Sequence, residues 1–475
     1  WLYYITLLWW LRHVTFPGLI LGSLLLSGYL SVWFLLARWM IPRVLESSFR
    51  MRLCVMLALS AAWTTIEWIR CQFTLGFPWC PLSVSQWKRP AILQAAEWTG
   101  GWAVSFFLVF FNLCVASYLH HLLVRRFKSK GSGIVGGMCP DFYVGLLLLL
   151  LMVSPFFLSR SNPRDHEPLL RAGFVQPYLR EKWQTGQAAR HKDTLRRLTL
   201  MTAASKPEVI LWPEASTPYA ITEDNKWVAA LARETNVPML VGAVAKSEEK
   251  EHSYNAVCRL TPEEGLDLKF YAKRTLVPFG EYVPTGFDWI PDLDKLVGPT
   301  GKFTAGGDAR TLSLDLNSTA QTLDVGPLVC YEDIFPDLAR RHVREGADFL
   351  FVSTNNAWFG EEGCAEQHAA HSVLRAIENR RPVLRCGNAG WSGWIDERGN
   401  RRSIMLDENR SVYFEGAATF SITHDSTLAT KPTFFTRRGD WFAYACIALT
   451  VLGIALPLVR NRYFTSREPG EPDES

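Results

Sequence analysis

A cysteine at the end of an apolar run is the residue of this 475-residue chain best suited to nucleophilic chemistry. Residues 323–336 read LDVGPLVCYEDIFP, an alternating run that predicts a strand and then changes abruptly to acids, an aromatic and a proline. Such strand-end turns can hold side chains for chemistry, so Cys330 is the candidate nucleophile. A lone cysteine is more often a small buried hydrophobe, and the interpretation therefore depends on other residues.

Two further apolar runs end in side chains that complement a thiol. Residues 209–214 read VILWPE and end in Glu214, and residues 270–273 read FYAK and end in Lys273. Because sites in open α/β sheets gather at the carboxyl ends of strands, the three ends can meet. Each charge alone would be read as a solvated surface group. Together, in the contexts WPE and VPFGE, they favour catalysis.

These three groups have one coherent chemistry. A thiol at its ordinary pKa is mostly protonated at neutral pH, and Glu214 would take its proton while the sulfur attacks a carbonyl. Lys273 would stabilise the thiolate and the oxyanion of the tetrahedral intermediate. The predicted product is a thioester at Cys330.

The part of the chain that carries these residues, from about Glu167 to Thr423, has the pattern of an α/β domain, because short apolar runs alternate with helical patterns. The predicted strands are 170–175, 209–211, 239–244, 254–260, 266–271, 323–329, 349–352 and 383–386. The predicted helices are 187–205, 226–235, 336–345 and 366–379.

Five apolar segments predict membrane spans at 18–40, 53–72, 101–124, 142–158 and 441–459, since about 20 apolar residues cross a bilayer. The second carries Glu67, whose expected partner is Arg70, one turn along.

From these spans and the α/β pattern we divide the chain into a membrane domain (1–160), a catalytic domain (167–425), a last span (441–459) and a tail (460–475). Residues 1–16 have the pattern of an earlier span's end or an interfacial segment. Because the first residue is Trp1, we expect the native beginning to be missing.

Basic residues in three short connections predict the orientation of the spans. If the spans alternate, all three groups lie on one side, which the positive-inside rule makes the cytoplasm. The catalytic domain and the loop 73–100 would then be periplasmic, in a bacterial inner membrane. The basic residues are Arg43, Arg50, Arg52, Arg125, Arg126, Lys128, Lys130, Arg460 and Arg462.

Several motifs of the chain resemble those of the apolipoprotein N-acyltransferases, a membrane family of the carbon-nitrogen hydrolase (nitrilase) superfamily. They are WPEAS at 212–216, KRTLVPFGEYVP at 273–284, CYEDIFP at 330–336 and NNAWFG at 355–360. The resemblance continues through Gln367–His368, Arg375–Ala376, Glu378, Arg381–Pro382, Arg385 and 438–441, and it includes Glu67 and 76–79. It therefore covers nearly the whole chain.

The resemblance implies an αββα sandwich inserted between transmembrane helices, with a catalytic triad of Glu214, Lys273 and Cys330. It implies transfer of an acyl chain from a phospholipid to the cysteine, and from there to the amine of a diacylglyceryl-modified apolipoprotein cysteine. It assigns supporting or substrate-contacting roles to Glu281, Tyr331, Glu332 and Trp183. Neither a cofactor nor a metal is implied, and a monomer is expected by analogy.

Three departures from the family pattern stand out. The family has about eight spans, with three before the first clear span of this chain, so the N-terminal part of the lipid cavity would be missing. Asn356 stands where the family commonly has Asp. The segment before Trp183 is two residues shorter than the family's, which makes the transfer of its role insecure.

Other classes of function have weaker support. A net charge of +4 gives no case for nucleic acid, and the ten cysteines lack zinc spacing. His368 and His371 share a helix face, but nothing supplies the further ligands of a closed metal site. Cys258, Cys364 and Cys386 could pair in an oxidising compartment, with a connectivity that sequence does not fix.

Two alternative functions remain open on sequence alone. A membrane-tethered amidase of the nitrilase type would use the same triad, with water instead of an amine resolving the thioester. A non-catalytic lipid-binding scaffold would keep the fold alone. The spans and the lipid-facing aromatics favour transfer over hydrolysis, and the intact Glu214, Lys273 and Cys330 disfavour the scaffold.

Overall fold

Two stacked β-sheets between layers of helices form the catalytic part of the structure, a computed structural model. It describes residues 1–72, 76–128, 139–158, 166–180, 186–249, 251–286, 303–316, 321–429 and 431–465, without the side chains of 125–128, 158 and 456–465. The first sheet has the strand order β13-β1-β2-β3-β4-β5, with β6 also paired to β4, and the second has the order β12-β11-β10-β9-β8-β7.

The strands of the first sheet are β1 (His166–Gln176), β2 (Val209–Trp212), β3 (Met239–Lys246), β4 (Ser253–Thr261), β5 (Gly265–Leu266), β6 (Tyr271–Ala272) and β13 (Gly416–Asp425). Those of the second are β7 (Leu312–Leu316), β8 (Gln321–Val329), β9 (Phe349–Asn355), β10 (Val383–Asn388), β11 (Gly393–Ile395) and β12 (Arg401–Ile404). Strands β1, β2 and β3 run parallel, as do β8, β9 and β10.

The helices lie outside the sheets or in the apolar part of the chain. They are α1 (Leu2–Leu7), α2 (Phe16–Met40), α3 (Phe49–Gln72), α4 (Pro90–Leu93), α5 (Ala96–Thr99), α6 (Gly101–Lys128), α7 (Pro140–Leu158), α8 (Ala188–Ala203), α9 (Lys226–Thr235), α10 (Pro336–Arg344), α11 (Cys364–Asn379), α12 (Ser426–Ala429), α13 (Phe434–Arg438) and α14 (Trp441–Thr465). Short 3₁₀ turns also occur, two of which are Trp9–His13 and Cys330–Ile334.

Apolar side chains fill three layers of the catalytic part. Residues of both sheets, among them Leu211 and Phe351, meet in the central layer. Helices α8 and α9 cover the outer face of the first sheet, and α10 and α11 cover that of the second. Because the central parallel strands are covered on both faces, they read as nearly continuous apolar runs. The predicted αββα sandwich is confirmed.

The strand predictions fail where apolar content is low or interrupted. Predicted strand 266–271 is wrong, because β5 and β6 are separate two-residue strands with Asp267 and Lys269 between them. Strands β7, β11, β12 and β13 were not predicted from the sequence. β12 and β13 lie at the ends of their sheets, and most of their residues are only partly buried, so their apolar runs are weak.

Five helical segments in the described part of the chain are long and apolar enough to cross a membrane: Phe16–Arg43, Phe49–Gln72, Gly101–Val124, Pro140–Phe157 and the part of α14 that lies within Ser426–Ala455. They overlap all five segments predicted as spans, with the fourth and fifth ending at 157 and 455 instead of 158 and 459. Residues 1–16 contain a six-residue helix and a 3₁₀ turn, both too short to span a bilayer.

Polar contacts join the apolar helices to the catalytic part. The indole nitrogens of Trp10 and Trp79 donate to Oε1 of Gln367, at 3.0 and 2.9 Å. The backbone nitrogen of Gly101, at the start of α6, donates to the buried Glu378 at 3.0 Å. The loop that contains Trp79 therefore lies against α11, as expected for a loop on the same side as the catalytic domain.

The prediction that Glu67 pairs with Arg70 is wrong. The Glu67 carboxylate accepts hydrogen bonds from the indole of Trp63 at 2.9 Å and from the backbone nitrogen of Leu82 at 2.7 Å. Arg70 instead donates to the hydroxyl of Tyr4 at 3.4 Å. The two side chains lie three residues apart on α3, but the buried loop after the helix offers Glu67 neutral donors.

Candidate active site

The candidate nucleophile lies in a strained turn. Cys330 directly follows β8 and opens the 3₁₀ turn Cys330–Ile334. Its φ of 48° lies in the left-handed region, which residues with a side chain rarely adopt. Such strain is kept where the surrounding structure holds it, often at functional sites. At Cys330, directly after the carboxyl end of β8, the backbone leaves the extended conformation of the strand.

Glu214 and Lys273 meet at the same end of the sandwich. Glu214 follows β2 by two residues, and Lys273 follows β6 directly. The Lys273 Nζ lies 3.7 Å from Oε1 of Glu214 and 2.9 Å from Oε2 of Glu281. Glu214 is 7% exposed and Lys273 only 1% exposed, so neither is the solvated surface charge that each would be in isolation.

Asn255 holds the two carboxylates in place and was not predicted from the sequence. This buried residue of β4 donates from Nδ2 to Glu214 Oε1 at 2.7 Å and to Glu281 Oε1 at 2.9 Å. Its backbone oxygen accepts from the nitrogen of Lys273 at 2.8 Å. A polar residue in the middle of an apolar strand, YNAVC, was the available signal.

The charges around the site keep the thiol protonated and the amine charged. Burial raises the pKa of the Cys330 thiol to about 12, Glu214 adds to the rise, and Lys273 opposes it. Burial alone would lower the pKa of Lys273, but Glu281 and Glu214 outweigh burial and raise that pKa above its ordinary value. The nucleophile therefore needs a base, and the cation beside it stays charged at physiological pH.

The protonated thiol predicts how Cys330 reacts with an alkylating agent. Because iodoacetamide consumes the thiolate and the thiol pKa is about 12, the alkylation rate should rise about tenfold per pH unit from about pH 7 to 10. Peptide mass spectrometry on timed samples would measure the rate at Cys330 separately from the other cysteines. A plateau near pH 8 would contradict the raised pKa.

Glu332 is a fully buried support behind the nucleophile. Its carboxylate accepts from the Tyr271 hydroxyl at 2.9 Å and from the backbone nitrogens of Val329, Arg274 and Thr275, at 2.8, 2.7 and 3.2 Å. One carboxylate thus ties the residue before Cys330 to the residues after Lys273. It fixes the spacing of nucleophile and cation without being placed to contact a substrate.

Replacing Glu332 by glutamine is expected to lower stability and activity together. The amide would turn one acceptor oxygen into a donor that faces backbone N–H groups, at a cost of about 1–3 kcal/mol. We expect a lower Tm in detergent and a fall in kcat of at least about tenfold, because the spacing of Cys330 and Lys273 relaxes. An exposed carboxylate, changed in Glu345→Gln, is the control and should change neither quantity. An unchanged kcat in Glu332→Gln would contradict the role.

Tyr331 connects the nucleophile turn to the apolar helices. Its hydroxyl donates to the backbone oxygen of Gly76 at 3.2 Å, and its ring packs edge-on against Phe335 with centroids 5.1 Å apart. It belongs to a buried apolar cluster with Tyr4, Trp10 and Trp79. The residue after the nucleophile therefore faces the membrane part of the chain.

Asp333 is the centre of a buried charge network in the turn before α10, which begins at Pro336. Its carboxylate contacts His368 Nε2 at 2.7 Å, accepts from Ser372 Oγ at 2.5 Å and pairs with Arg385. Burial alone would raise the pKa of Asp333, but His368 and Arg385 hold it below its ordinary value. His368 Nε2 also lies 3.0 Å from the backbone oxygen of Cys330, so this network supports the turn.

The other predicted residues have these positions. Trp183 lies outside the described residues. His371 Nε2 accepts from the backbone nitrogen of Cys80 at 3.2 Å, and within the described ranges no cluster of three or more metal-ligating side chains occurs. Asn356 is fully buried, with Nδ2 3.3 Å from His368 Nδ1. Cys258, Cys364 and Cys386 are free, buried thiols.

Family models match both parts of the chain. The carbon-nitrogen hydrolase model matches residues 173–419, over half of the chain, and the model of the apolipoprotein N-acyltransferase N-terminal domain matches residues 1–114. Proteins named apolipoprotein N-acyltransferase are similar along most of their length. One from Geobacter metallireducens is 29% identical over 92% of this chain and 80% of its own length. One from Allorhizobium ampelinum is 30% identical over 89% of this chain and 80% of its own length.

Two solved structures are similar to about half of the chain. A carbon-nitrogen hydrolase superfamily protein from Xanthomonas campestris aligns with a TM-score of 0.40 at 20% identity, over 55% of this chain and 92% of its own. An amidase from Nesterenkonia aligns with a TM-score of 0.42 at 16% identity, over 57% of this chain and 95% of its own. From the family-model matches and the full-length relatives, the chain belongs to the apolipoprotein N-acyltransferase family of carbon-nitrogen hydrolases.

Proposed function

We propose that this chain transfers an acyl group from a phospholipid to the α-amine of the diacylglyceryl-modified N-terminal cysteine of apolipoproteins. Cys330 is the nucleophile, Glu214 the general base and Lys273 the cation that stabilises negative charge. The observation that carries the proposal is the buried group of Lys273, Glu214 and Glu281 beside a cysteine in a strained turn. The relatives' name, apolipoprotein N-acyltransferase, supports the same reaction.

In the first half-reaction, the Cys330 sulfur attacks the ester carbonyl of the phospholipid. Glu214 takes the thiol proton as the carbon–sulfur bond forms, which the raised thiol pKa requires. Lys273 stabilises the oxyanion of the tetrahedral intermediate. When the intermediate collapses, the ester bond breaks and the leaving alkoxide takes the proton from Glu214, giving a lysophospholipid and an acyl thioester.

In the second half-reaction, the amine of the apolipoprotein attacks the thioester. Glu214 accepts a proton from the attacking nitrogen, Lys273 again faces the oxyanion, and the thiolate leaves and is reprotonated. Ester and amine alone balance these steps, so the proposed reaction needs no cofactor or metal. Glu281 and Asn255 keep the amine of Lys273 and the carboxylate of Glu214 in position.

The apolar helices would place the active site where lipid-anchored substrates can reach it. Both proposed substrates are lipid-anchored and must present a carbonyl or an amine close to a membrane surface. Tyr331, next to the nucleophile, belongs to an apolar cluster with Trp10 and Trp79 of the membrane part. An apolar wall beside Cys330 favours an amine on a lipidated acceptor over water, which favours transfer over the amidase alternative.

The proposal also includes the membrane orientation, the domain division and the oligomeric state. The basic connections around Arg50, Arg126 and Arg460 favour a cytoplasmic side opposite the catalytic domain, which would then be periplasmic at a bacterial inner membrane. The division at 1–160, 167–425, 441–459 and 460–475 and the monomeric state belong to the same proposal. Trp183 stays a predicted substrate contact.

Mass spectrometry of a lipopeptide tests the function. The purified protein would be incubated with a phospholipid and a synthetic peptide that begins with diacylglyceryl cysteine. The expected product is the peptide with one additional acyl group on its α-amine. Free fatty acid with unmodified peptide would favour the amidase, and no turnover of the phospholipid would favour the scaffold.

A further inference from the structure

A cavity between the apolar helices and the catalytic part is lined by Arg274, which has buried donor atoms without a hydrogen-bond acceptor among the described residues. Its volume is about 340 Å³, within the range of small-ligand sites. We call it the junction cavity. The lining residues that matter below are Trp102, Arg274, Phe335, Asp337, Arg341 and Asp440.

Arg274 is the unusual group of the junction cavity. Its side chain is half-buried, and its Nε and Nη1 atoms are fully buried without a hydrogen-bond partner among the described residues. Leaving donors of a guanidinium buried and unpaired is costly. An anion in the cavity would remove that cost, because the planar guanidinium matches the oxygens of a phosphate.

The two carboxylates that line the cavity already accept hydrogen bonds from other residues. Asp337 accepts from Arg340 at 2.7 Å and pairs with Arg341 at 2.5 Å. Asp440 accepts from the indoles of Trp68 and Trp102, at 2.8 and 2.9 Å. The first turn of α10 also lines the cavity, and the positive end of its dipole favours an anion there.

Residues that line the junction cavity are neighbours, in sequence or by contact, of the proposed catalytic residues. Arg274 directly follows Lys273, and its backbone nitrogen donates to Glu332, which also accepts from Val329, the residue before Cys330. Phe335, in the cavity wall, packs against Tyr331, the residue after Cys330. An anionic group bound to Arg274 would therefore be held one residue along the chain from Lys273 and against Phe335, which contacts the residue after Cys330.

We propose that the junction cavity binds the phosphodiester of the phospholipid acyl donor, with Arg274 as its main ligand. The inference rests on the proposed function and adds the subsite for the head group. It also distinguishes the two substrates, because the diacylglyceryl acceptor has no phosphate. Arg274 therefore serves formation of the thioester and not its discharge.

The test compares two acyl donors that differ only in the head group. Thioester formation on wild type and on Arg274→Gln would be followed by intact-protein mass spectrometry with dipalmitoyl phosphatidylethanolamine and with dipalmitoylglycerol in the same micelles. We expect the wild type to prefer the phospholipid, and the variant to lose roughly 10- to 100-fold of that preference, mainly through KM. Arg274→Lys keeps the positive charge but not the paired N–H donors of the guanidinium, and it should recover part of the preference for the phospholipid.

Controls separate the cavity from the neighbouring amine. Arg190→Gln removes an exposed arginine of α8 that does not line the cavity, and its donor preference should equal that of the wild type. An equal loss with both donors in Arg274→Gln would mean that the arginine acts through Lys273, and it would overturn the inference. Competition by millimolar inorganic phosphate that disappears in Arg274→Gln would assign the site to a free anion instead.

Two further results would count against the proposal in different ways. A defect of Arg274→Gln confined to discharge of the thioester by the lipopeptide would move the cavity to the acceptor. Failure of the wild type to form a thioester with either donor would refute the proposed function, whereas a normal thioester with unchanged donor preference in Arg274→Gln would refute only the head-group subsite.

Discussion

Replacement of Cys330 by alanine is expected to abolish acyl transfer while the protein keeps its fold. The side chain supplies the only bond to the acyl group between the two half-reactions, so we expect a rate loss on the order of 10⁴-fold or more. The turn itself is held by Glu332, His368 and the end of β8, none of which depends on the sulfur. Lipopeptide acylation and the Tm in detergent would be measured on the same preparation.

Cys258→Ala is the matched control for this variant. Cys258 is a fully buried free thiol in β4, so its removal has a comparable packing cost without touching the proposed chemistry. We expect this control to retain transfer within a few-fold of the wild type. Transfer by Cys330→Ala at a rate close to that of Cys258→Ala would mean that another residue carries the acyl group or that amine attacks the phospholipid directly.

Replacement of Lys273 by methionine is expected to lower thioester formation by about 10²-fold or more, because the oxyanion loses its nearest cation. The change also leaves Glu214 and Glu281 as two buried carboxylates that both accept from Asn255. Their mutual repulsion would lower the stability of the folded protein. Single-turnover thioester formation and Tm would measure the two effects.

Lys246→Met makes the same chemical change at a half-buried ion pair. Lys246 ends β3 and contacts Glu223 at 3.0 Å, so its loss should cost at most about 1 kcal/mol and leave thioester formation intact. A normal rate in Lys273→Met would show that the amine is only a structural counter-charge. If thioester formation fell by the same factor in Lys273→Met and in Lys246→Met, the loss would be a general effect of charge removal.

The architecture could be predicted wherever the sequence pattern reports burial directly. Strands β2, β3, β8, β9 and β10 are buried on both faces, and helix α9 was predicted with the bounds it has. The five spans are long apolar segments and need no tertiary information. End strands such as β12 and the two-residue strands β5 and β6 depend on pairing with neighbours, which a single sequence does not report.

The site was predicted through its motifs, but its supports were not. Glu214, Lys273 and Cys330 follow recognisable strand ends, and the structure brings Lys273 and Glu214 within 3.7 Å. Asn255 and the partners of Asp333 come from distant strands and helices, so nothing local marks their contacts. The pairing of Glu67 with Arg70 failed because Glu67 accepts from the indole of Trp63, on the opposite side of it along α3, and from the backbone nitrogen of Leu82 in the following loop.

The mass of the intact protein after reaction with phospholipid alone is the most direct measurement. With no acceptor present, the wild type should gain the mass of one acyl group, the adduct should be lost on treatment with neutral hydroxylamine, and peptide mapping should locate it at Cys330. Addition of the lipopeptide should then return the protein to its original mass as the peptide becomes acylated. An adduct at another residue, or lipopeptide acylation by a protein that never carries an acyl group, would contradict a thioester mechanism at Cys330.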